Sequence, residues 1–186
     1  MTGIVMLWLP ILVSAAIVFV ASALIHMLSP WHKGDYVRLS NENEFRSAVG
    51  PLDLPPGDYM VPHPQSRENL RSPEFLAKAN QGPNVIMTVL PKGMPGMGRN
   101  LALWFLYVLL VGVLCAYVAG RSTPPGAVYM HVFQLVSTVA FIAYAVALWQ
   151  MSIWYRRSWN TTFKATVDGL IYGLLTAGAF GWLWPR

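Results

Sequence analysis

Apolar residues in this chain come in long unbroken blocks rather than in alternation. No charged residue falls between Gly3 and Leu28, where Ile, Val, Leu, Ala, Phe and Met dominate. That run exceeds the about 20 residues a helix needs to cross a hydrocarbon core of about 30 Å, so residues 3–28 are predicted to form a first transmembrane helix. Residues 101–119 predict a second. Residues 127–153 predict a third, long enough to tilt or to extend past the membrane surface. Residues 120–126, with Pro124 and Pro125, make the tight turn between these two. Residues 165–184 predict a fourth, the weakest of the set because Asp168 lies near its start, and Trp182, Trp184 and Arg186 close it as an interfacial belt. The first run has no basic leader and is well beyond the roughly 7–15 apolar residues of a signal-peptide core, so it reads as an uncleaved anchor.

Between the first two blocks, residues 29–100 change abruptly to Pro, Gly, Asn, Asp and Glu with nearly balanced charge. Stop and start signals give this loop structure. Asn41 with Glu44 fits a capping box, Phe45 and Val49 follow at helical spacing, and Gly50-Pro51 ends the run. Ser72-Pro73-Glu74 opens a second short helix with Phe75, Leu76 and Ala79 on its apolar side, and Gly82-Pro83 terminates it. Residues 58–61 and 84–90 predict short extended segments. Residues 152–164 mix Ile153, Trp154, Trp159 and Phe163 with Arg156, Arg157 and Lys164, which suits a short interfacial helix or a helix extension. The fold class expected is an all-α membrane protein: a single integral membrane domain of four transmembrane helices, with a small cytoplasmic loop subdomain of short helices and possible short strands.

Composition fits this pattern. The chain is 55% hydrophobic and 11% charged, against about 25% charged in an ordinary soluble domain. A net charge of +5 raises nucleic acid as a partner, but the basic residues neither cluster in runs nor interleave with aromatics on a polar face, so no nucleic-acid partner is expected. The lipid bilayer is the expected surrounding. Basic residues also set orientation, because positively charged loops resist translocation. Lys33, Arg38, Lys92, Arg99, Arg156, Arg157 and Lys164 fall on one side, and only Arg121 and Arg186 on the other. The long loop is therefore expected in the cytoplasm and both termini outside. The single cysteine, Cys115, lies within an apolar block, which excludes an intrachain disulfide and a cysteine zinc site.

Several segments carry a resemblance. His26-Met27, Pro30, His32-Lys33 and Asp35-Tyr36, then Pro55-Pro56-Gly57 with Tyr59 and Pro62, and finally residues 168–172 through Gly181-Trp182, resemble a family of uncharacterised bacterial integral membrane proteins. The resemblance spans most of the chain. It implies a multi-pass protein of the bacterial inner membrane and no assigned activity, cofactor or catalytic residue.

Four histidines invite a metal or haem reading: His26, His32, His63 and His131. His26 and His131 are placed at opposite depths, which separates them as a bis-histidine haem pair. His26, His32 and Asp35 are close enough in sequence to meet at the membrane surface, with His63 able to join them in a hard or borderline metal site. Trp31 and Tyr36 beside them equally suit an interface belt. Met94-Pro95-Gly96-Met97 offers two thioethers for a soft Cu(I) ion, or simply a flexible entry into the second span. No Gly-x-Ser-x-Gly elbow and no glycine-rich phosphate loop occurs. The sequon at Asn160-Thr161-Thr162 falls on the cytoplasmic side of a bacterial chain, where it carries no glycan.

The remaining candidates are polar or small residues inside the spans. His131, Gln134 and Thr138 share one face of the third span, and Asp168, Tyr172 and Thr176 share one face of the fourth. Both stripes are expected to turn away from lipid, for interhelical hydrogen bonding, a solute path or a quinone-like pocket. Asp168 is expected to pair with Lys164, Arg156 or Arg157. Gly169, Gly173, Ala177 and Gly181 recur every four residues, and that face is predicted to be buried against another helix. The expected function is that of a non-enzymatic structural or accessory component binding another membrane protein or forming a homo-oligomer. The alternatives are a small transporter or channel using the two stripes, and a metal or redox membrane protein. Whether the chain is an enzyme, and which cofactor or metal it takes, stay open at this level.

Overall fold

The computed structural model describes residues 1–94 and 96–186. In chain order the elements are α1 (Trp8–Ala23), α2 (Glu42–Val49), β1 (Gly57–Val61), α3 (Pro73–Gln81), β2 (Val85–Val89), α4 (Met97–Ser122), α5 (Tyr129–Tyr144), α6 (Trp149–Ile153) and α7 (Trp159–Trp182). They divide into two compact units, residues 1–37 with 96–186 and residues 38–95.

The first unit is a ring of four helices, in which α1 packs on α4 and α7, and α5 packs on α4 and α7. Three helical stretches are long and apolar enough to cross a membrane: Ile4–Leu28, Met97–Ser122 and Tyr129–Ile153. The chain is thus a helical protein of membrane type. The segment expected at 165–184 is the inner part of a longer helix, because α7 starts at Trp159 and takes in Thr161, Thr162 and Lys164. It is not among the three stretches that are long and apolar enough to cross. The third span is interrupted: α5 ends at Tyr144, a 3-10 turn covers Val146–Leu148, and α6 follows. The Ser152 and Thr162 hydroxyls, 2.7 Å apart, and the Trp149 indole donating to Thr166 Oγ1 at 3.0 Å tie α6 to α7.

Small residues explain how closely α5 and α7 run together. A Cβ at Gly169 would stand 2.7 Å from Ala145 Cβ, one at Gly173 would meet the Phe141 backbone nitrogen at 3.2 Å, and one at Gly181 would strike the Tyr129 ring at 2.7 Å. Ala177 on the same face is fully buried. Lipid offers no hydrophobic force between helices, so close dispersion contact is the main attraction available, and bare backbone allows it. The core that results is built from Leu7, Val18, Val111, Ala116, Val136 and Phe180 among others. Cys115 is buried in it as a small apolar side chain. The outside carries Leu103, Leu106, Leu110 and Leu114 of α4, all exposed, as a lipid-facing surface requires.

Hydrogen bonds fix which ends meet. The Thr2 amide donates to Gly120 O at 2.8 Å and the Trp184 indole donates to Pro124 O at 2.9 Å, so the start of α1 and the ends of α4 and α7 share one end with the start of α5. The other end gathers the ends of α1 and α5 and the starts of α4 and α7.

In the second unit the expected helices and extended segments are present. Ser72 Oγ accepts the Phe75 amide at 3.2 Å and caps α3, which Gly82 ends at φ +62°. Asn41 precedes α2, but its side chain donates to Glu44 Oε2 at 3.0 Å instead of capping the backbone. Strands β1 and β2 pair antiparallel, with Tyr59 opposite Met87.

Candidate functional site

The site grows from the way α1 ends. Its last turn widens into a π turn over Leu24–Leu28, with the Ser29 amide donating five residues back to Leu24 O at 3.1 Å; such turns insert a residue and re-aim side chains. Pro30 has no amide to continue the helix. Ser29 Oγ donates to Ile25 O at 2.6 Å and accepts the Trp31 amide at 3.2 Å. Tight turns then follow, the Lys33 amide donating to Pro30 O and the Asp35 amide to His32 O, both at 3.1 Å. The chain folds back so that His32 stacks flat on His26, with ring centres 4.3 Å apart and planes within 10°.

Four ionisable side chains converge there. His32 Nδ1 lies 2.7 Å from Asp35 Oδ2 and His32 Nε2 lies 2.9 Å from Asp168 Oδ2. Lys164 Nζ donates to Asp35 Oδ1 at 2.9 Å and stands 5.9 Å from the centre of the Trp31 ring, within cation–π range. All four are largely enclosed, with side-chain exposures of 5% for Asp168, 10% for Asp35, 13% for Lys164 and 15% for His32. Each ring nitrogen of His32 faces a carboxylate oxygen, so a proton must sit on each contact. Enclosed carboxylates are tolerated when they are hydrogen-bonded or paired, and here both meet His32 while Asp35 also meets the Lys164 ammonium. Enclosure works to raise the Asp35 pKa, but the hydrogen bonds from Lys164 and His32 and their charges outweigh it and hold the carboxyl below its ordinary value.

The cluster is tied to the rest of the bundle on two sides. His26 Nδ1 donates to Ser22 O at 3.0 Å, and Ser22 Oγ accepts the Trp104 indole of α4 at 2.8 Å. Inward from Asp168, Tyr172 one turn along α7 meets the edges of Trp104 and Tyr144, at 6.0 and 5.6 Å between ring centres. Among the described residues, Asp168 Oδ1 and the hydroxyls of Tyr144 and Tyr172 are buried without a hydrogen-bond partner. Buried polar atoms are rarely left so.

No protein family, curated protein or solved structure matches the chain. The site therefore rests on its own geometry.

The structure brings His26, His32 and Asp35 together and adds Asp168 and Lys164. Asp168 pairs with His32, not with Lys164, Arg156 or Arg157. The long Lys164 side chain reaches Asp35 instead, and both arginines are exposed. Sequence reasoning missed the joining of His32 to Asp168 because 136 residues separate them; the usable signal was one acid in an apolar span opposite a His and Asp pair at another span's exit. His63 belongs to the other unit, beside Pro62, Gln65 and Lys78. His131 opens α5 at the end of the bundle opposite His26. Met94 and Met97 are exposed, on either side of the boundary between the units, and Pro95 between them lies outside the described residues.

The two polar stripes part company. Asp168, Tyr172 and Thr176 are buried, Thr176 Oγ1 donating to Tyr172 O at 2.8 Å. His131, Gln134 and Thr138 are exposed on the outer face of α5. Val132, Val136 and Ala140 occupy the buried face of α5, and Tyr129, Ser137 and Phe141 are the residues of α5 that meet the glycines of α7.

Proposed function

We propose that this chain is a four-span protein of the bacterial inner membrane, acting as a non-enzymatic structural or accessory component that binds another membrane protein. Length and polarity pattern support α7 as the fourth span. Its 24 residues measure about 36 Å at 1.5 Å per residue. Its polar Thr161, Thr162, Asp168 and Thr176 are buried, while Leu170, Ile171 and Leu174 are exposed, so polar side chains turn inward and leucine and isoleucine are offered to lipid.

The basic residues support an orientation with the long loop in the cytoplasm and both chain ends outside. A reporter fused after Arg186 should be active outside the cytoplasm, and a cysteine at Asn80 should resist an impermeant reagent in intact cells. Labelling at Asn80 would invert the arrangement.

The observation that carries the function is the outward stripe of His131, Gln134 and Thr138 on a helix of membrane-spanning length. Thr138 Oγ1 satisfies itself on Gln134 O at 2.8 Å, but an exposed Gln amide facing hydrocarbon is costly and is relieved by a hydrogen bond across to another helix. This stripe is exposed while Asp168, Tyr172 and Thr176 are buried, which gives less support to a transporter that would use both stripes. A photo-reactive residue at Gln134 in native membranes should give one discrete cross-linked product.

A further inference from the structure

The His32 cluster is arranged as a cation site, independently of what the outer face of α5 binds. One donor atom each of His26, His32 and Asp168 lies within 4.8 Å of the other two. Both rings have Nδ1 engaged. His26 Nδ1 donates to the Ser22 carbonyl, and His32 Nδ1 donates to Asp35, which Lys164 holds in turn. A ring whose Nδ1 carries the proton in a bond to a carbonyl or carboxylate presents Nε2 as the ligand atom, and this outer arrangement orients histidines around metals and raises their basicity. Asp168 supplies the anion. Its side chain is only 5% exposed, and its Oδ1 has no partner among the described residues. That atom is an acceptor in search of a donor or a cation.

We propose that His26 Nε2, His32 Nε2 and the Asp168 carboxylate bind one divalent first-row transition-metal ion of the zinc class, with Asp35 and Lys164 as the groups that position His32. Two imidazoles and one carboxylate are a borderline donor set, suited to zinc(II) and its divalent neighbours rather than to Cu(I), which prefers thioethers and thiolates. The ion takes the place of the proton on the His32–Asp168 contact: Nε2 loses that proton to solvent and its lone pair turns to the metal. Bond lengths of about 2.0–2.2 Å ask the donors to draw in, and the ring of His26, exposed and stacked parallel to His32, leaves the stack to aim its lone pair. Three protein ligands leave the ion an open position.

The test uses the full chain purified in mild detergent, stripped with a chelator and titrated with Zn²⁺ alone. One Zn²⁺ per chain should bind saturably and raise the melting temperature. Substituting His26→Ala should weaken binding at least tenfold while the metal-free protein melts as the parent does, because that side chain is exposed; His63→Ala and His131→Ala should bind as the parent does. Asp168→Asn should also lose binding. Absence of saturable uptake, uptake unchanged by His26→Ala, or uptake lost in His63→Ala or His131→Ala would overturn the site. None of these outcomes bears on cross-linking at Gln134.

Discussion

Replacing Gly169 by leucine should destabilise the bundle strongly. The new side chain would start 2.7 Å from Ala145 Cβ and 3.3 Å from the Ala145 Cα and backbone nitrogen, so backbone, not a mobile side-chain tip, stands in its way. Overpacking a well-filled interior costs about 1–3 kcal/mol and occasionally more, and a clash with backbone belongs at the upper end. Set against a total stability of about 5–15 kcal/mol, this predicts a large fall in the yield of monodisperse protein in detergent and a much lower melting temperature. Gly173→Leu should act in the same direction, since its Cβ would meet the Phe141 nitrogen at 3.2 Å. Leu174→Ile, at an exposed position beside it, should change little. Equal behaviour of Gly169→Leu and Leu174→Ile in size-exclusion and melting measurements would refute the packing of α7 on α5.

The second large effect lies at His32. Its removal as His32→Ala leaves the enclosed Asp168 carboxylate with no partner and takes from Asp35 one of its two. Breaking an enclosed ion pair by deleting one member costs about 3–5 kcal/mol, most of it the uncompensated charge that remains. Neutralising that charge should therefore restore stability. The double variant His32→Ala/Asp168→Asn should melt above His32→Ala alone, so the two losses should fall well short of additive. Strict additivity in a double-mutant cycle would mean that the 2.9 Å contact between His32 and Asp168 contributes no coupling.

Much of the bundle was legible because lipid imposes long apolar runs, and those runs at 3–28, 101–119 and 127–153 coincide, from Ile4 and from Tyr129 on in the first and third, with the observed helical stretches Ile4–Leu28, Met97–Ser122 and Tyr129–Ile153. The break at Ala145 was not legible. Nothing local in residues 143–148 marks it, and it occurs where Gly169 lets the backbone approach. Small residues at a four-residue spacing pointed to the face of α7 that packs, since their spacing is a property of one helix alone. The stripe on α5 shows the limit of the same logic: His131, Gln134 and Thr138 share a face, but which way that face turns depends on the neighbour that claims the other side. The site was half legible for a similar reason. His26, His32 and Asp35 are neighbours in sequence, whereas Asp168 and Lys164 reach them only through the antiparallel return of α7, and a single acid in an apolar run does not name its partner.

Photo-cross-linking in native membranes reads directly whether the outer face of α5 is a docking surface. A photo-reactive residue at Gln134 should yield one discrete adduct whose mass identifies the partner, a second copy giving a product of twice the 20.7 kDa chain, while the same residue at Leu110, on the exposed apolar face of α4, should yield none. An unadducted chain at Gln134, together with a particle of single-chain mass in mild detergent, would contradict it.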